Sequence, residues 1–218
     1  MIKNYFKIAW RSILRNKLNS GLNITGLAIG ISYFHLILLY VQDELKYDTF
    51  LKDADRIYQV ALNTDFGGEE IFIGKTPASV SSALTRNFPE IENTARVYRP
   101  GDIVLKSSNG SKENFFTESS VLAVDSSFLD IFSFAMLEGD RATCLGQPNA
   151  IVLTEQVAMK YFGTSPALGK TMYMDKENIP LTVTGVLKNV PSQSTLQFDI
   201  LTSTSAFPAV KKMSWSWV

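Results

Sequence analysis

No acidic residue precedes Asp43, and the whole chain of 218 residues holds one cysteine and one histidine. The lone Cys144 excludes an internal disulfide, and the lone His35 excludes a His-rich metal cage or a histidine-centred catalytic set. An excess of basic charge is missing too, since Lys plus Arg and Asp plus Glu both number 21. A protein that grips nucleic acid needs clustered cations to displace condensed counterions, so no nucleic-acid partner is expected. Residues 50–218 contain no low-complexity linker or charge block, which argues for one folded module there. With 45% hydrophobic residues, a chain of this length can bury a real core.

The balanced charge is unevenly distributed. Lys3, Lys7, Arg11, Arg15 and Lys17 are the only charges before Asp43, which leaves 16 basic against 21 acidic residues in the remainder. Residues 20–41 carry no charge, and as a helix they would extend about 33 Å, enough to cross a bilayer. A buried helix of a soluble protein seldom runs so far without a charge. A cleavable signal peptide would need a small-residue site before Asp43, and none is present. The expectation is an uncleaved anchor with a cytoplasmic amino terminus, basic on the inner side, and the bulk of the chain outside.

Ahead of the anchor, Lys3, Lys7, Arg11 and Arg15 recur every four residues, while Ile2, Tyr5, Phe6, Ala9, Trp10, Ile13 and Leu14 fill the opposite side. This predicts an amphipathic helix on the inner membrane surface, with Trp10 at the interface and Lys17 closing the basic run. Anionic headgroups attract each such cation by about 1 kcal/mol. The plainer reading of the same charges is a topology signal alone. Gly26 and Gly30 form a Gly-x-x-x-Gly pair that would let a second membrane helix approach closely.

Beyond the anchor, a helical extension through Phe50 is expected, followed by a hairpin of residues 56–64 and 71–76 about Gly67 and Gly68. Thr76 and Pro77 predict the cap and first turn of a helix with Val80, Leu84 and Phe88 on one face. Strands follow at 95–98, 103–106 and 115–124, with turns at Pro100 and Gly101 and at Asn109 and Gly110, then a short helix at 128–132. Residues 151–153 read as a strand. Thr154 then caps a helix with Val157, Ala158, Tyr161 and Phe162 inward, ended by Gly163. A second hairpin turns at residues 176–178, and a last strand lies near residue 200.

The search for chemistry returns near misses. Residues 163–171, GTSPALGKT, place five residues between glycines where a phosphate loop has four, and a helix precedes them instead of a strand. Lys170 is read as solvated. Glu69, Glu70, Glu90 and Glu92 sit in polar turns, and Cys144 reads as a small, partly buried side chain. His35 reads as a helix-packing residue. No catalytic, cofactor-binding or metal-binding residue is assigned.

An ordered set of short strings spans residues 1–205: RIY at 56–58, FPEI at 88–91, Val124 with Asp125, Phe128, Phe132, Gly139 with Asp140, IVLTE at 151–155, KYFG at 160–163, Gly169 with Lys170, VTGV at 183–186 and Pro191. Together with the basic helix and first span, this set resembles the MacB/FtsX-like ABC transporter permeases, in particular large permeases of Bacteroidetes-type bacteria. The resemblance implies an α+β architecture. It would comprise a cytoplasmic amphipathic helix (1–18), a transmembrane helix (19–42) and a MacB-like periplasmic core domain (43–218) with a porter-like lobe and a smaller β-rich lobe. It further implies an inner-membrane permease that dimerises or meets a permease partner, works with a separate or fused ABC ATPase, and contacts a periplasmic or outer-membrane partner. Such a chain transmits conformational change and is no enzyme itself. Family permeases carry three further spans, so a truncated product or a fragment of a longer permease is expected. A membrane-anchored periplasmic binding or sensory module would use the same single span and α+β body.

Overall fold

The computed structural model describes residues 2–109, 112–163, 166–174, 178–207 and 210. The expected turn at Gly110, the tip at residues 176 and 177, and the terminal tryptophans at 215 and 217 lie outside them. The chain divides into two units, Met1–Tyr47 and Asp48–Val218.

The first unit is two helices. The amphipathic spacing produces α1 (Ile2–Arg15), and the apolar stretch produces α2 (Lys17–Glu44), whose 28 residues extend about 42 Å. Asn16 separates them with φ −109° and ψ 56°, outside helical values. Among described residues α2 is the one helix long and apolar enough to cross a membrane, and none of it is buried. It ends at Glu44, not at Phe50 as expected. Turns follow, and Asp48 stands at φ 55°, where a right-handed helix cannot continue.

The second unit is an α+β body. Strands β1 (Leu62–Phe66) and β2 (Glu69–Ile73) pair antiparallel as a separate two-stranded sheet. Gly67 and Gly68 both have positive φ, as a two-residue turn of this hand requires. The first strand starts six residues later than its alternation predicts. Arg56 closes a 3-10 turn, and Tyr58 is 82% exposed, so the alternation there has no sheet partner to serve. Helix α3 (Ser79–Asn87) also starts late: Ala78, not Thr76, holds the cap position, and Phe88 is exposed beyond its end.

Among the described residues nine further strands form one sheet: β3 (Val97–Tyr98), β4 (Ile103–Asn109), β5 (Lys112–Glu118), β6 (Val121–Val124), β7 (Met136–Gly139), β8 (Ala150–Thr154), β9 (Thr171–Met174), β10 (Ile179–Leu187) and β11 (Ile200–Ser203). The pairing order is β3-β6-β11-β8-β10-β9-β4-β5, with β7 also on β10. The run expected as one strand over 115–124 is thus two strands, which stand six positions apart in that order, and β7 was not foreseen. Six spacings of a flat sheet would separate β5 from β6 by roughly 29 Å, yet only Ser119 and Ser120 join them. The sheet therefore curls.

It curls around α5 (Glu155–Phe162), whose Val157, Tyr161 and Phe162 are buried against Ile103 and Leu105 of β4, Val121 of β6, Ile151 and Leu153 of β8, and Ile200 of β11. The outer face carries a second cluster, in which α4 (Phe128–Ile131), Phe134, Cys144 and Phe198 cover Leu122, Val124, Val152 and Leu201. Alternate residues of β6, β8 and β11 serve the two clusters in turn, which is why these strands are buried at every position. Thr154 holds the cap position of α5, but its hydroxyl makes no capping bond and is buried without a partner.

Candidate functional site

The basic residues of α1 recur every four positions, so each step advances about 40° beyond a full turn and the stripe of Lys3, Lys7, Arg11 and Arg15 winds slowly round the helix. Lys17 opens α2 instead of extending that stripe. Tyr5, Phe6, Trp10 and Ile13 are all exposed, Phe6 at 77% and Trp10 at 62%. An apolar flank of this kind is the surface a lipid interface would cover.

On α2, a β-carbon built at Gly26 or Gly30 meets no atom within 4 Å, so both positions lie open to close approach. Two polar residues of the span bond to their own helix. Ser32 donates to the Ala28 carbonyl at 2.8 Å, and the Nδ1 atom of His35 lies 3.0 Å from the Ile31 carbonyl.

Two open, apolar concavities follow α1 and α2, one lined by Tyr5, Phe6, Ala9, Trp10 and Ile13, the other by residues including Thr25, Ala28, Ser32 and Leu36. Among described residues no cluster of His, Cys, Asp and Glu could hold a metal. The phosphate-loop near miss uses its amides internally. Gly169 N–H donates to Val183 at 2.7 Å and Lys170 N–H to Ala167 at 3.1 Å, between α5 and β9; residues 164 and 165 lie outside the described set. Lys170 is not simply solvated, because its Nζ stands 4.7 Å from the Phe162 ring centre. Cys144 is buried, and burial pushes its thiol up from its ordinary value, which suits packing and not nucleophilic attack. Glu69, Glu70, Glu90 and Glu92 are exposed, with Glu92 paired to Arg56 at 2.7 Å.

Sequence reasoning missed two polar clusters, one around a buried carboxylate and one around a half-buried one. Glu118, 7% exposed at the end of β5, accepts hydrogen bonds from Lys160 Nζ and the Tyr161 hydroxyl, each at 2.7 Å. Burial, then the Glu118 hydrogen bond and charge, drive the Tyr161 phenol far above its ordinary pKa. It is a fixed donor, not a base. Asn114, Phe116 and Glu118 occupy alternate positions of one strand, whose face toward Tyr161 is marked by the Phe116 ring at 5.3 Å, but the adjacent Phe115 and Phe116 hide from the sequence which face that is. In the second cluster Asp125 receives two bonds from the Arg96 guanidinium and one from its amide, plus one from the Thr204 hydroxyl. Burial alone would raise this carboxyl, but those donors outweigh it and hold it below the usual carboxylate range. The first cluster ties β5 to α5, and the second ties the residues beside β3 and β6 to the 3-10 turn that follows β11.

Residues 20–217 match the family description of the MacB-like periplasmic core domain. Among solved structures, a domain of a permease protein from Porphyromonas gingivalis overlays with a TM-score of 0.58 and 22% identity, covering 69% of this chain and 61% of that one. The chain thus spans about three fifths of that structure's length, and the likeness is one of fold. The periplasmic region of MacB from Actinobacillus actinomycetemcomitans overlays at 0.44 with 18% identity, covering 66% and 64%. The extracellular domain of the noncanonic ABC-type transporter YknZ from Gram-positive bacteria overlays at 0.37 with 18% identity, covering 58% and 64%. At those scores the last two are loose overlays. Comparison with curated proteins gives no match.

Proposed function

Because this chain belongs to the MacB-like periplasmic core domain family, we propose that it is a permease component of an ABC transporter. It passes conformational change, driven by ATP hydrolysis on a separate subunit, through α2 to the body, in the service of efflux or export. The observation that carries this reading is an unburied, membrane-length α2 in a chain whose residues 20–217 match the family's domain. In the proposed topology α1 lies on the cytoplasmic surface of the inner membrane, near the ATPase. The body is periplasmic and meets a partner or cargo there. Gly26 and Gly30 line the contact between α2 and another membrane helix, of a second copy or of a permease partner.

Capture of the full chain from gently solubilised membranes tests the reading. An ABC ATPase is expected in the captured material, and Gly26→Leu combined with Gly30→Leu should lower its yield several-fold by blocking close helix approach. Capture of a kinase-like or cyclase-like cytoplasmic protein, with no ATPase, would replace the permease by a sensory module.

Orientation is tested separately. Replacing Lys3, Lys7, Arg11, Arg15 and Lys17 by Gln removes every basic side chain ahead of the span while Asp43 and Glu44 remain behind it. A mixed population should result, with a substantial share of the bodies becoming protease-accessible from the cytoplasmic side. Accessibility identical to the parent chain would mean that the charges do not set the topology.

A further inference from the structure

The first five residues of the body are held more firmly than a tether would be. Asp48 donates its backbone N–H to the Gln193 carbonyl at 2.9 Å and accepts the Thr195 N–H on its Oδ1 at 3.0 Å. One residue thus engages a single loop through both main chain and side chain. Two positions on, Phe50 packs on Phe134 with ring centres 5.6 Å apart, and Leu51 is buried. Lys52 N–H then donates to Ser133 Oγ at 2.7 Å. A left-handed residue at position 48 makes these contacts possible, and aspartate tolerates that conformation better than most side chains.

The loop that Asp48 grips is itself braced. Ser194 N–H donates to the Pro191 carbonyl, Ser194 Oγ to the Leu196 carbonyl, and the Gln197 amide to both Pro191 and Ser194. It links β10 to β11, two inner strands of the sheet, and Asp199 at its end bonds Ser120 and Thr154. Only residues 45–47 separate the last residue of α2 from Asp48, a reach of about 14 Å at full extension.

We propose that residues 48–52 are a latch that delivers displacement of α2 to the connection between β10 and β11, with the Asp48 carboxylate as its positioning group. A flexible linker would absorb such displacement; a latched one hands it to the sheet. The proposal rests on reading α2 as a membrane span and needs no ATPase for its test.

The full chain is placed in lipid nanodiscs, with a dye on Met159→Cys, an exposed position of α5, while buried Cys144 stays unlabelled. Hydrogen exchange at the Thr195 amide and fluorescence anisotropy decay of the dye are then measured. For the parent chain and Asp48→Asn, which keeps the Oδ1 acceptor, slow exchange and tumbling with the disc are expected. For Asp48→Gly, which keeps the backbone conformation and loses the acceptor, Thr195 exchange should rise about tenfold or more and the dye should gain a fast component. Four Gly-Ser residues inserted between Lys46 and Tyr47 should free the dye without changing Thr195 exchange, which guards against a variant that simply misfolds. Equal exchange and equal tumbling in the parent and Asp48→Gly overturn the latch, as does faster exchange with unchanged tumbling. A chain that fails to enter the disc at all overturns the membrane reading itself.

Discussion

Gly139→Ala is expected to cost the body about 4 kcal/mol, a large part of the ~5–15 kcal/mol that stabilises a typical domain. Gly139 ends β7 with φ 96°, a region that a residue with a β-carbon enters at a cost of roughly 1–2 kcal/mol. An added β-carbon would also stand 2.5 Å from the Thr184 carbonyl oxygen and 2.9 Å from the Gly185 α-carbon. Both are backbone atoms of β10, the strand that pairs with β7, β8 and β9, so neither can swing aside as a side chain could. Overpacking of this kind adds roughly 1–3 kcal/mol. Gly169→Ala is the control: φ is 79°, but nothing lies within 4 Å, so only the conformational cost of about 1 kcal/mol applies. Urea unfolding of the full chain in detergent should separate the two midpoints clearly. Equal midpoints would show that β7 moves away from β10 at little cost.

Loss of the Glu118 carboxylate should be nearly as damaging, and the reason decides which substitution hurts. Glu118→Ala leaves the Tyr161 hydroxyl, 1% exposed, with only the distant Leu105 carbonyl at 3.5 Å, and leaves Lys160 without its acid. A buried unsatisfied donor and a broken, partly buried ion pair together cost about 3 kcal/mol. In a body of this size that lowers Tm by roughly 6–12 °C. Lys160 is 38% exposed on its side chain, so solvent screens its share of the pair. Glu118→Gln, which keeps an acceptor for Tyr161, should therefore cost about 1 kcal/mol, and Lys160→Met no more. Thermal unfolding of the three variants checks the ranking. If Lys160→Met proved as harmful as Glu118→Ala, the ion pair and not the tyrosine hydrogen bond would dominate. The location sharpens the effect, since Glu118 sits where β5 runs into β6 and the curled sheet closes on α5.

The same two sites show how far local pattern reaches. Gly139 with Asp140 and the string VTGV at 183–186 were each recognisable as family strings, but their meeting across β7 and β10 was not. β7 itself is a weak pattern of four residues, mostly exposed, that becomes a strand because β10 offers it an edge. The short helix at Phe128 and the helix after Thr154 were foreseen because apolar spacing and the turn residues agreed. The early start assigned to the β1 strand failed for the opposite reason: Tyr58 and Val60 alternate in sequence but face solvent. Alternation reports a capacity to pair, and a partner has to supply the edge.

What the sequence determined alone is the membrane-length helix and the basic amphipathic helix before it, which rest on composition and spacing within a few tens of residues, and the family with its α+β class, which rests on the order of short strings along residues 1–205. The two helix signals are carried by hydrophobic burial and helix periodicity, which act locally. Tertiary structure alone decided that β5 and β6 part company at Ser119, that the sheet curls around α5, that Glu118 meets Lys160 and Tyr161 and Asp125 meets Arg96 and Thr204, and that Asp48 holds the β10–β11 loop. Each of those depends on residues dozens of positions apart meeting at hydrogen-bond distance, and a one-dimensional pattern carries no record of which edge or loop will arrive there.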